Sequence, residues 1–342
     1  MRILVALILW LLPCAVSAQT WEDRRLFGPE DAARVLRVLS STDTSFMAPV
    51  IEEFLTARPD VAVEYLVTGT ADIDAIFRAT PDRFDLVISS AMDLQLKLAN
   101  DGYARALDNV GLPDWAQWRQ SLFAFTSEPA TIVLSRAAFA GQPMPQTRQA
   151  LIEVLRADPA RFRGRIGTYD VRRSGLGYLF ATQDARASET FWRLMEVMGG
   201  LNARLYCCSG DMIDDLEAGE ILVAYNVLGS YAAARADGPD SFEIVLPSDF
   251  PTTMMRTALV SDSGPNAALA GNFVRHLVTL QSGSTAHRFP LPPLDGGRFS
   301  GELARIALEP ALMTYLDALK RRTFLAEWEN ALIQPLANAP TD

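Results

Sequence analysis

Residues 35–67 read VLRVLSSTDTSFMAPVIEEFLTARPDVAVEYLV and contain a complete strand-helix-strand unit. Residues 35–39 are an apolar run that predicts a buried strand, and residues 46–55 carry apolar side chains at helical spacing. Val61–Val67 predicts the next strand. Because strands that alternate with helices form sheets covered on both faces, this unit predicts an α/β fold.

The alternation of apolar strands and amphipathic helices continues along the chain. Further strands are predicted at residues 85–88, 131–134, 165–168, 205–207, 221–225, 243–246 and 257–260. Further helices are predicted at residues 73–77, 92–99, 146–155, 175–182, 188–198, 212–218 and 266–279, with a mostly helical tail over 302–333. These elements predict mainly parallel sheets flanked by helices.

Length and organisation favour two lobes. The chain has 342 residues, more than one hydrophobic core usually serves. No linker rich in Gly and Ser separates the elements, so we expect closely joined lobes with hinge crossings near 124–133 and 243–258. Lobe 1 is predicted to contain residues 35–127 and 252–342, and lobe 2 residues 128–251. Two lobes with two crossings enclose a cleft that can close.

The composition excludes several classes of function. Contents of 49% hydrophobic and 21% charged residues exclude a disordered or low-complexity chain. Since 31 Lys and Arg residues face 41 Asp and Glu residues, the net charge is −10. An acidic surface disfavours nucleic acid and anionic membranes as partners. An anionic ligand would therefore need a local pocket.

The first eighteen residues have the pattern of a cleavable secretory signal peptide. Arg2 precedes an apolar stretch over residues 3–12, and Ala18 ends a small-residue cleavage site before Gln19. The apolar stretch is too short for a membrane span, which needs roughly 20 residues. Residues 1–18 therefore predict export to the periplasm.

After cleavage, which removes Cys14, two adjacent cysteines would remain, Cys207 and Cys208. In an oxidising compartment they would form either a vicinal disulfide or two buried thiols, and the sequence leaves both open. A metal site is not expected, because nothing nearby in the sequence supplies further soft ligands.

Polar turns follow several of the predicted strands or open predicted helices. Their candidate ligand-binding residues are Ser41, Thr42, Asp43, Thr44, Ser89, Ser90, Arg173, Ser174, Gly175 and Ser209. Free N–H groups and the positive end of a helix favour an anion at such turns, and hydroxyls can donate to its oxygens. The alternative is that these residues only cap helices. Convergence of the turns on one cleft would favour binding.

Arg173 and two further candidates, Asn226 and Tyr225, are considered individually. Arg173 adjoins the Ser-Gly turn and offers a guanidinium fork that suits phosphate or carboxylate. Asn226 follows the predicted strand 221–225, where its amide can contact hydroxyl or phosphate oxygens. Tyr225 is either a ligand contact or a core residue.

Four stretches carry a resemblance to a known family. They are VLRVLSSTDTSFMAPVIEEF (35–54), DLVISSAMDLQLKLANDGY (85–103), GRIGTYDVRRSGLGYLF (164–180) and CCSGDMIDDLEAGEILVAYNVLGSYA (207–232). The chain resembles the periplasmic solute-binding proteins of ABC transporters, type II, in the branch that contains ferric-ion binders. The fourth stretch looks closest to the phosphoglycerate transport regulatory protein group.

The resemblance implies a two-lobe α/β receptor with two hinge crossings. Its ligand-facing residues would include Ser41, Thr42, Ser90, Ser174 and Gly175. The expected ligand is a small organic anion, either a phosphorylated three-carbon acid or a sugar phosphate, with no cofactor. The receptor would deliver it to a membrane permease or report it to a membrane sensor kinase.

Two other functions are weighed against this expectation. Ferric iron is the alternative ligand, but the branch's pair of adjacent tyrosines is absent, and Tyr225 and Tyr231 are six residues apart. Enzymatic activity is not expected, because a G-x-S-x-G turn is absent and neither His276 nor His287 has an evident catalytic partner.

Overall fold

A computed structural model describes residues 21–235, 242–282, 289–295 and 304–334. Its strands are β1 (Asp23–Phe27), β2 (Arg34–Ser40), β3 (Val61–Val67), β4 (Leu86–Ser89), β5 (Gln117–Trp118), β6 (Leu122–Ala124), β7 (Glu128–Ser135), β8 (Ile166–Tyr169), β9 (Arg204–Tyr206), β10 (Val223–Leu228), β11 (Phe242–Val245), β12 (Thr253–Met254) and β13 (Thr257–Val260). The predicted signal peptide, residues 1–18, lies outside the described residues.

The helices lie between these strands and after them. They are α1 (Thr44–Thr56), α2 (Ile73–Ala79), α3 (Met92–Asn100), α4 (Arg148–Ala157), α5 (Pro159–Phe162), α6 (Gly175–Ala187), α7 (Thr190–Gly200), α8 (Ser209–Glu217), α9 (Gly229–Arg235), α10 (Ala267–Ser282) and α11 (Ala318–Leu332). A 3-10 helix over Pro310–Leu316 precedes the last of them.

The strands form two mixed sheets. The first has the order β1-β3-β2-β4-β13-β6-β5, and the second has the order β11-β7-β10-β8-β9. Parallel pairs of β2 with β3 and β4, and of β8 with β9 and β10, form the predicted α/β units. The remaining pairs are antiparallel; they include the pairs that β7 and β13, the strands next to the crossings, make with their neighbours. The predicted mainly parallel sheets are therefore corrected to mixed ones.

Two extended segments connect the sheets side by side. Strand β12 pairs with the start of β7, so that Thr253 lies opposite Pro129 and Met254 opposite Glu128. The Phe125 N–H donates to the Arg256 carbonyl at 3.0 Å, which extends the pairing. These segments lie within the predicted crossings, 124–133 and 243–258.

The last helix packs on the second sheet. Phe324, Trp328 and Leu332 of α11 join the apolar cluster on one face of that sheet. Gly199 of α7 permits this approach, since a Cβ there would lie 2.4 Å from the Ala331 carbonyl oxygen. The sequence analysis assigned residues 252–342 to lobe 1, yet α11 contacts lobe 2. The sequence could not predict this contact, because helical periodicity does not specify which surface a helix covers. The predicted lobe boundaries otherwise stay a prediction.

The two lobes contact each other across a cleft. The rings of Phe46 in α1 and Tyr231 in α9 have centroids 4.6 Å apart. The Thr70 hydroxyl, in the loop after β3, accepts the N–H of Gly175 at 2.9 Å and that of Leu176 at 3.2 Å. The first contact joins a helix of each lobe, and the second joins the loop after β3 to the start of α6.

Candidate functional site

A cavity of about 370 Å³ lies between the two lobes. It opens where parallel strands end: Ser41 follows β2, and Ser90 follows β4. From the other lobe, Tyr169 ends β8, and Ser209 begins α8 soon after β9. Ligands of open α/β sheets bind at this edge, because loops there lead into helix N-termini. The cavity is therefore the candidate binding site.

Hydroxyls and a carboxylate form the wall contributed by lobe 1. Ser41, Asp43 and Ser90 line the cavity beside the loop 68–70. Ser41 Oγ lies 3.3 Å from the Ser90 amide, which donates to it. Asp43 precedes α1 without capping it through its side chain, so its carboxylate is not committed to the helix. Neither α1 nor α3 has a side-chain cap, and hence Ser41 and Ser90 are not there as caps.

Three predicted residues lie behind this wall. Thr42, Thr44 and Ser89 are buried and do not line the cavity. Thr44 Oγ1 donates to an Asp23 carboxylate oxygen at 2.5 Å, and Ser89 Oγ accepts the N–H of Ala91 at 3.1 Å. Because their hydroxyls already have protein partners, these residues position the loops rather than face the cavity.

Ser174 and Ser209 contribute from lobe 2. Ser174 lines the cavity and also caps α6, since its Oγ accepts the Gly177 N–H at 3.1 Å. Ser209 lines the cavity, shares a hydrogen bond with the Tyr169 hydroxyl, and accepts the Leu228 N–H at 3.2 Å. For Ser174 the capping alternative therefore holds alongside its place in the cavity.

Gly175 lies at the contact between the lobes. A Cβ at this position would be 2.9 Å from the Thr70 carbonyl oxygen, so a larger residue would separate the lobes. Gly175 does not line the main cavity, although it follows Ser174 directly. Its close approach is what brings α6 against the loop after β3.

Arg173 lies outside the cavity. Its side chain is exposed, and it is absent from the cavity lining. The neighbouring Arg172 pairs with Asp170 at 2.7 Å and with Glu329 of α11 at 3.3 Å. The structure thus does not bring the predicted guanidinium to the ligand cleft.

Tyr225 and Asn226 also point away from the cavity. The Tyr225 hydroxyl donates to Asp184 at 2.7 Å and accepts from Arg148 Nε at 2.7 Å, and Asn226 Nδ2 donates to Asp184 at 2.9 Å. The predicted strand ended at Tyr225, but β10 continues to Leu228 with a bulge between Tyr225 and Val227. Asn226 has a φ of +65° within that bulge. Both residues consequently belong to a buried polar network.

Arg256 is a cavity residue that sequence reasoning missed. Among the described residues it is the one cationic side chain that lines the cavity, and it is 1% exposed. Its Nε and Nη2 pair with the two Glu128 carboxylate oxygens at 2.9 and 3.0 Å, while Nη1 donates to Thr42 Oγ1 at 2.7 Å. The available signal was a lone arginine in the apolar stretch MMRTALV, which predicts a paired buried charge.

Three carboxylates make the cavity acidic. Glu22, Asp43 and Asp211 all line it. Burial, together with the charges of Asp43, Asp72 and Asp211, raises the pKa of Glu22. Burial and the nearby carboxylates of α8 likewise raise the pKa of Asp211. Glu128 pairs with Arg256, and the charged side chains that line the cavity carry a net negative charge when these carboxylates are ionised.

The N-terminal ends of four helices lie at the cavity. Asp43, Ser90, Ser174 and Ser209 lie at or beside the first turns of α1, α3, α6 and α8, respectively. Helix N-termini present N–H groups and partial positive charge. Cys207 and Cys208, joined by a disulfide, complete the lining beside Ser209. The predicted turns thus do converge on one cleft.

Solved structures share this architecture. A substrate-binding protein of an ABC transporter from Agrobacterium tumefaciens is 31% identical, with a TM-score of 0.85, and the match covers 91% of this chain and 98% of that one. This chain belongs to the substrate-binding proteins of ABC transporters. The predicted two-lobe α/β fold of this family is confirmed.

Two more distant structures show the same fold with different cargo. The periplasmic binding protein AfuA from Actinobacillus pleuropneumoniae, with fructose-6-phosphate bound, is 13% identical, has a TM-score of 0.72, and matches 89% of this substrate-binding protein and 100% of its own chain. Iron-bound HitA from Pseudomonas aeruginosa is 13% identical, with a TM-score of 0.64, over 87% of this chain and 99% of its own. Comparisons with protein-family models and with curated proteins found no match.

The fold neighbours are binding proteins, in keeping with a substrate-binding role rather than catalysis. A substrate-binding protein of an ABC transporter works with that transporter's membrane permease, as predicted. Within the described residues no helix is long and apolar enough to cross a bilayer.

Proposed function

We propose that this substrate-binding protein closes in the periplasm on a sugar phosphate, a small polyhydroxy solute with one phosphate group. The observation that carries the proposal is the convergence of four helix N-termini and their hydroxyl side chains on one cleft. Such a site can hold one compact anion, while the acidic remainder of the cleft suits hydroxyl donors.

The helix N-termini support the phosphate half of the ligand. Ser41 and Ser90 can donate from lobe 1, and Ser209 precedes Gly210 in the first turn of α8. A Cβ at Gly210 would meet no atom within 4 Å, so the backbone there is open to a ligand. Each helix end contributes about 0.3–1 kcal/mol toward a negative charge. Four such ends together would favour a bound phosphate by about 1–4 kcal/mol.

The carboxylates support the hydroxyl half. When ionised, the carboxylates of Glu22, Asp43 and Asp211 accept hydrogen bonds and cannot donate them, and sugar hydroxyls can donate to them. A second negative group on the ligand would meet these charges at close range. Between the two classes predicted from sequence, the cleft therefore favours a sugar phosphate over a phosphorylated three-carbon acid. The resemblance to the phosphoglycerate transport regulatory protein group stays a prediction.

Closure follows from contacts that reach both lobes. Arg256 and Glu128 lie on the two crossings, and they link Thr42 in lobe 1 to Ser230 at the start of α9 through hydrogen bonds. A solute that bridges the two walls binds the closed form better than the open form. Its differential affinity sets how far the population shifts toward closure.

Ferric iron is the second candidate ligand, because two tyrosines accompany the carboxylates. Tyr169 and Tyr231 line the cavity with Asp43 and Asp211. Burial raises the pKa of both tyrosines, which disfavours the phenolate that iron requires. Tyr225 lies in a different network, which adds to the sequence argument that Tyr225 and Tyr231 do not share one ion. These features rank iron below a sugar phosphate.

A closed receptor of this kind can act in one of two ways. Delivery to a permease is the one that the family supports, and reporting to a membrane sensor kinase is the alternative. Both would use the same closed lobes.

A thermal-shift screen followed by calorimetric titration tests the ligand. The panel contains hexose phosphates, 3-phosphoglycerate, inorganic phosphate and ferric citrate. At a hundredfold excess over Kd, a true ligand stabilises the protein by about 2.7 kcal/mol, so we expect the largest Tm increase with a hexose phosphate. A response confined to ferric citrate, or a larger one with 3-phosphoglycerate, would contradict the proposal.

Two variants locate the binding site. Ser90→Ala removes a donor that lines the cleft, and we expect it to weaken hexose phosphate binding about tenfold, the effect of one hydrogen bond to a charged group. Arg173→Ala is the matched control, because its side chain is exposed outside the lining and its loss should leave affinity unchanged. If Arg173→Ala weakened binding and Ser90→Ala did not, the anion would bind at Arg173, as the sequence predicted.

A further inference from the structure

The disulfide in the cleft has a carboxylate beside it. Cys207 and Cys208 are bonded to each other at the start of α8, where Cys208 is the N-cap residue. Cys207 Sγ lies 3.5 Å from Asp211 Oδ2. The sulfur atoms and an Asp211 oxygen all lie within 4.8 Å of one another. Across the described ranges this is the one group of three His, Cys, Asp or Glu ligand atoms that meets so closely.

We propose that reduction of this disulfide converts the cluster into a site for one thiophilic divalent cation, Zn²⁺ or Cd²⁺, held by Cys207, Cys208 and Asp211. Two thiolates and one carboxylate are three protein ligands of the kind that Zn²⁺ accepts. The fourth position faces the cavity, because all three residues line it. Water or a solute oxygen would complete a tetrahedron there.

The site exists only after a two-electron reduction by a dithiol. One thiolate of the reductant attacks a protein sulfur and forms a mixed disulfide, and its second thiolate then closes the reductant's own disulfide. Cys207 and Cys208 leave this exchange as two thiols. Binding of the cation displaces two protons and gives two metal-sulfur bonds. In the oxidised protein both sulfur atoms are bonded to each other, so no thiolate is offered.

The surroundings favour a cation once the thiols are free. Glu22 and Asp43 line the same cavity as Asp211, so three carboxylates repel one another there. A cation relieves this mutual repulsion.

Cadmium titration of oxidised and reduced protein tests the proposal. The full chain carries Cys14→Ser, so that Cys207 and Cys208 are its only thiols. One half is reduced with dithiothreitol, which is then removed under nitrogen. We expect the ultraviolet thiolate-to-cadmium band to rise to one equivalent in the reduced protein and to be absent from the oxidised protein. Excess Mg²⁺ should not displace the ion, because thiolates select soft metals.

Substitutions distinguish a carboxylate that binds the metal from one that attracts it only through its charge. Asp211→Asn should weaken cadmium binding at least about tenfold, since even outer partners of metal ligands contribute that much. Asp214→Asn is the matched control on the same helix, because Asp214 is exposed and pairs with Arg235. Cys208→Ser should reduce the band to one thiolate and lower affinity further.

Three results would overturn the proposal. The first is two freely reacting thiols in the protein as purified, since the disulfide that controls the site would then not exist. The second is no charge-transfer band after reduction. The third is an equal loss of affinity in Asp211→Asn and Asp214→Asn, which would show that charge alone attracts the ion. None of these results depends on the identity of the transported solute.

Discussion

Asp93 offers a pH-dependent test of the packing between α3 and the C-terminal segment. It lies in the first turn of α3, where it is 2% exposed, and this helix packs against the 3-10 helix Pro310–Leu316. Burial raises the pKa of the Asp93 carboxyl from 3.8 to about 7. The amide of Leu94 and the charge of Arg321 oppose this shift, whereas Asp74 adds to it.

The sign and size of the effect follow from proton linkage. The folded state holds the Asp93 proton more tightly than the unfolded state, so its contribution is complete below pH 3.8 and is lost as the pH rises through about 7. At 1.36 kcal/mol per pKa unit, the full loss is about 4 kcal/mol. Between pH 5 and pH 8 the folded protein should lose about 2–3 kcal/mol through this group.

Urea denaturation at pH 5 and pH 8 measures that loss. Asp93→Asn cannot ionise, so we expect its free energy of unfolding to exceed that of the wild type at pH 8 and to approach it at pH 5. Asp82→Asn is the control, because Asp82 is exposed and should follow the wild-type pH dependence. Parallel pH profiles of the wild type and Asp93→Asn would refute the assigned role of Asp93.

Three other substitutions probe the lobes and their joints. Glu128→Gln leaves Arg256 without its buried partner and should cost about 3–5 kcal/mol in urea denaturation; an unchanged midpoint would contradict the pairing. Gly199→Ala should cost about 1–3 kcal/mol through overpacking, whereas a Cβ at Gly200 would be 3.7 Å from its nearest neighbour and should be tolerated; equal effects would disprove the packing argument. Thr70→Val removes two hydrogen bonds between the lobes and should increase the radius of gyration in X-ray scattering, with Thr56→Val, on an exposed helix end, as the unaffected control.

The helices and strands were predictable because the pattern of apolar residues along the sequence indicates which side chains are buried. Val61–Val67 is apolar on both faces and forms β3 with the predicted bounds. Strand β1 was not predicted, since Asp23–Phe27 is a mostly exposed edge strand without an apolar pattern. Its position follows from pairing with β3, some forty residues away in sequence, which no local pattern encodes.

The candidate site was predictable only in part. Polar residues at strand ends located Ser41, Ser90, Ser174 and Ser209 in the cleft, because the carboxyl ends of parallel strands share one edge. Asn226 was misplaced because a bulge inside β10 is invisible in the apolar pattern. Arg256 was missed because its partner, Glu128, lies on the other crossing, so the pair exists only in three dimensions.

The path of the C-terminal segment restricts how the lobes can move. The 3-10 helix Pro310–Leu316 packs against α3 of the first lobe, whereas α11, beginning at Ala318, packs on the second sheet with Phe324 and Trp328. The chain thus passes between the lobes a third time, beside Tyr178, whose hydroxyl donates to the Tyr315 carbonyl at 2.6 Å. Two strands alone permit both bending and twisting. The C-terminal segment is a third connection, away from those two strands. We therefore expect the cleft to open by rotation about the line that joins the connections, with little sliding of one lobe past the other.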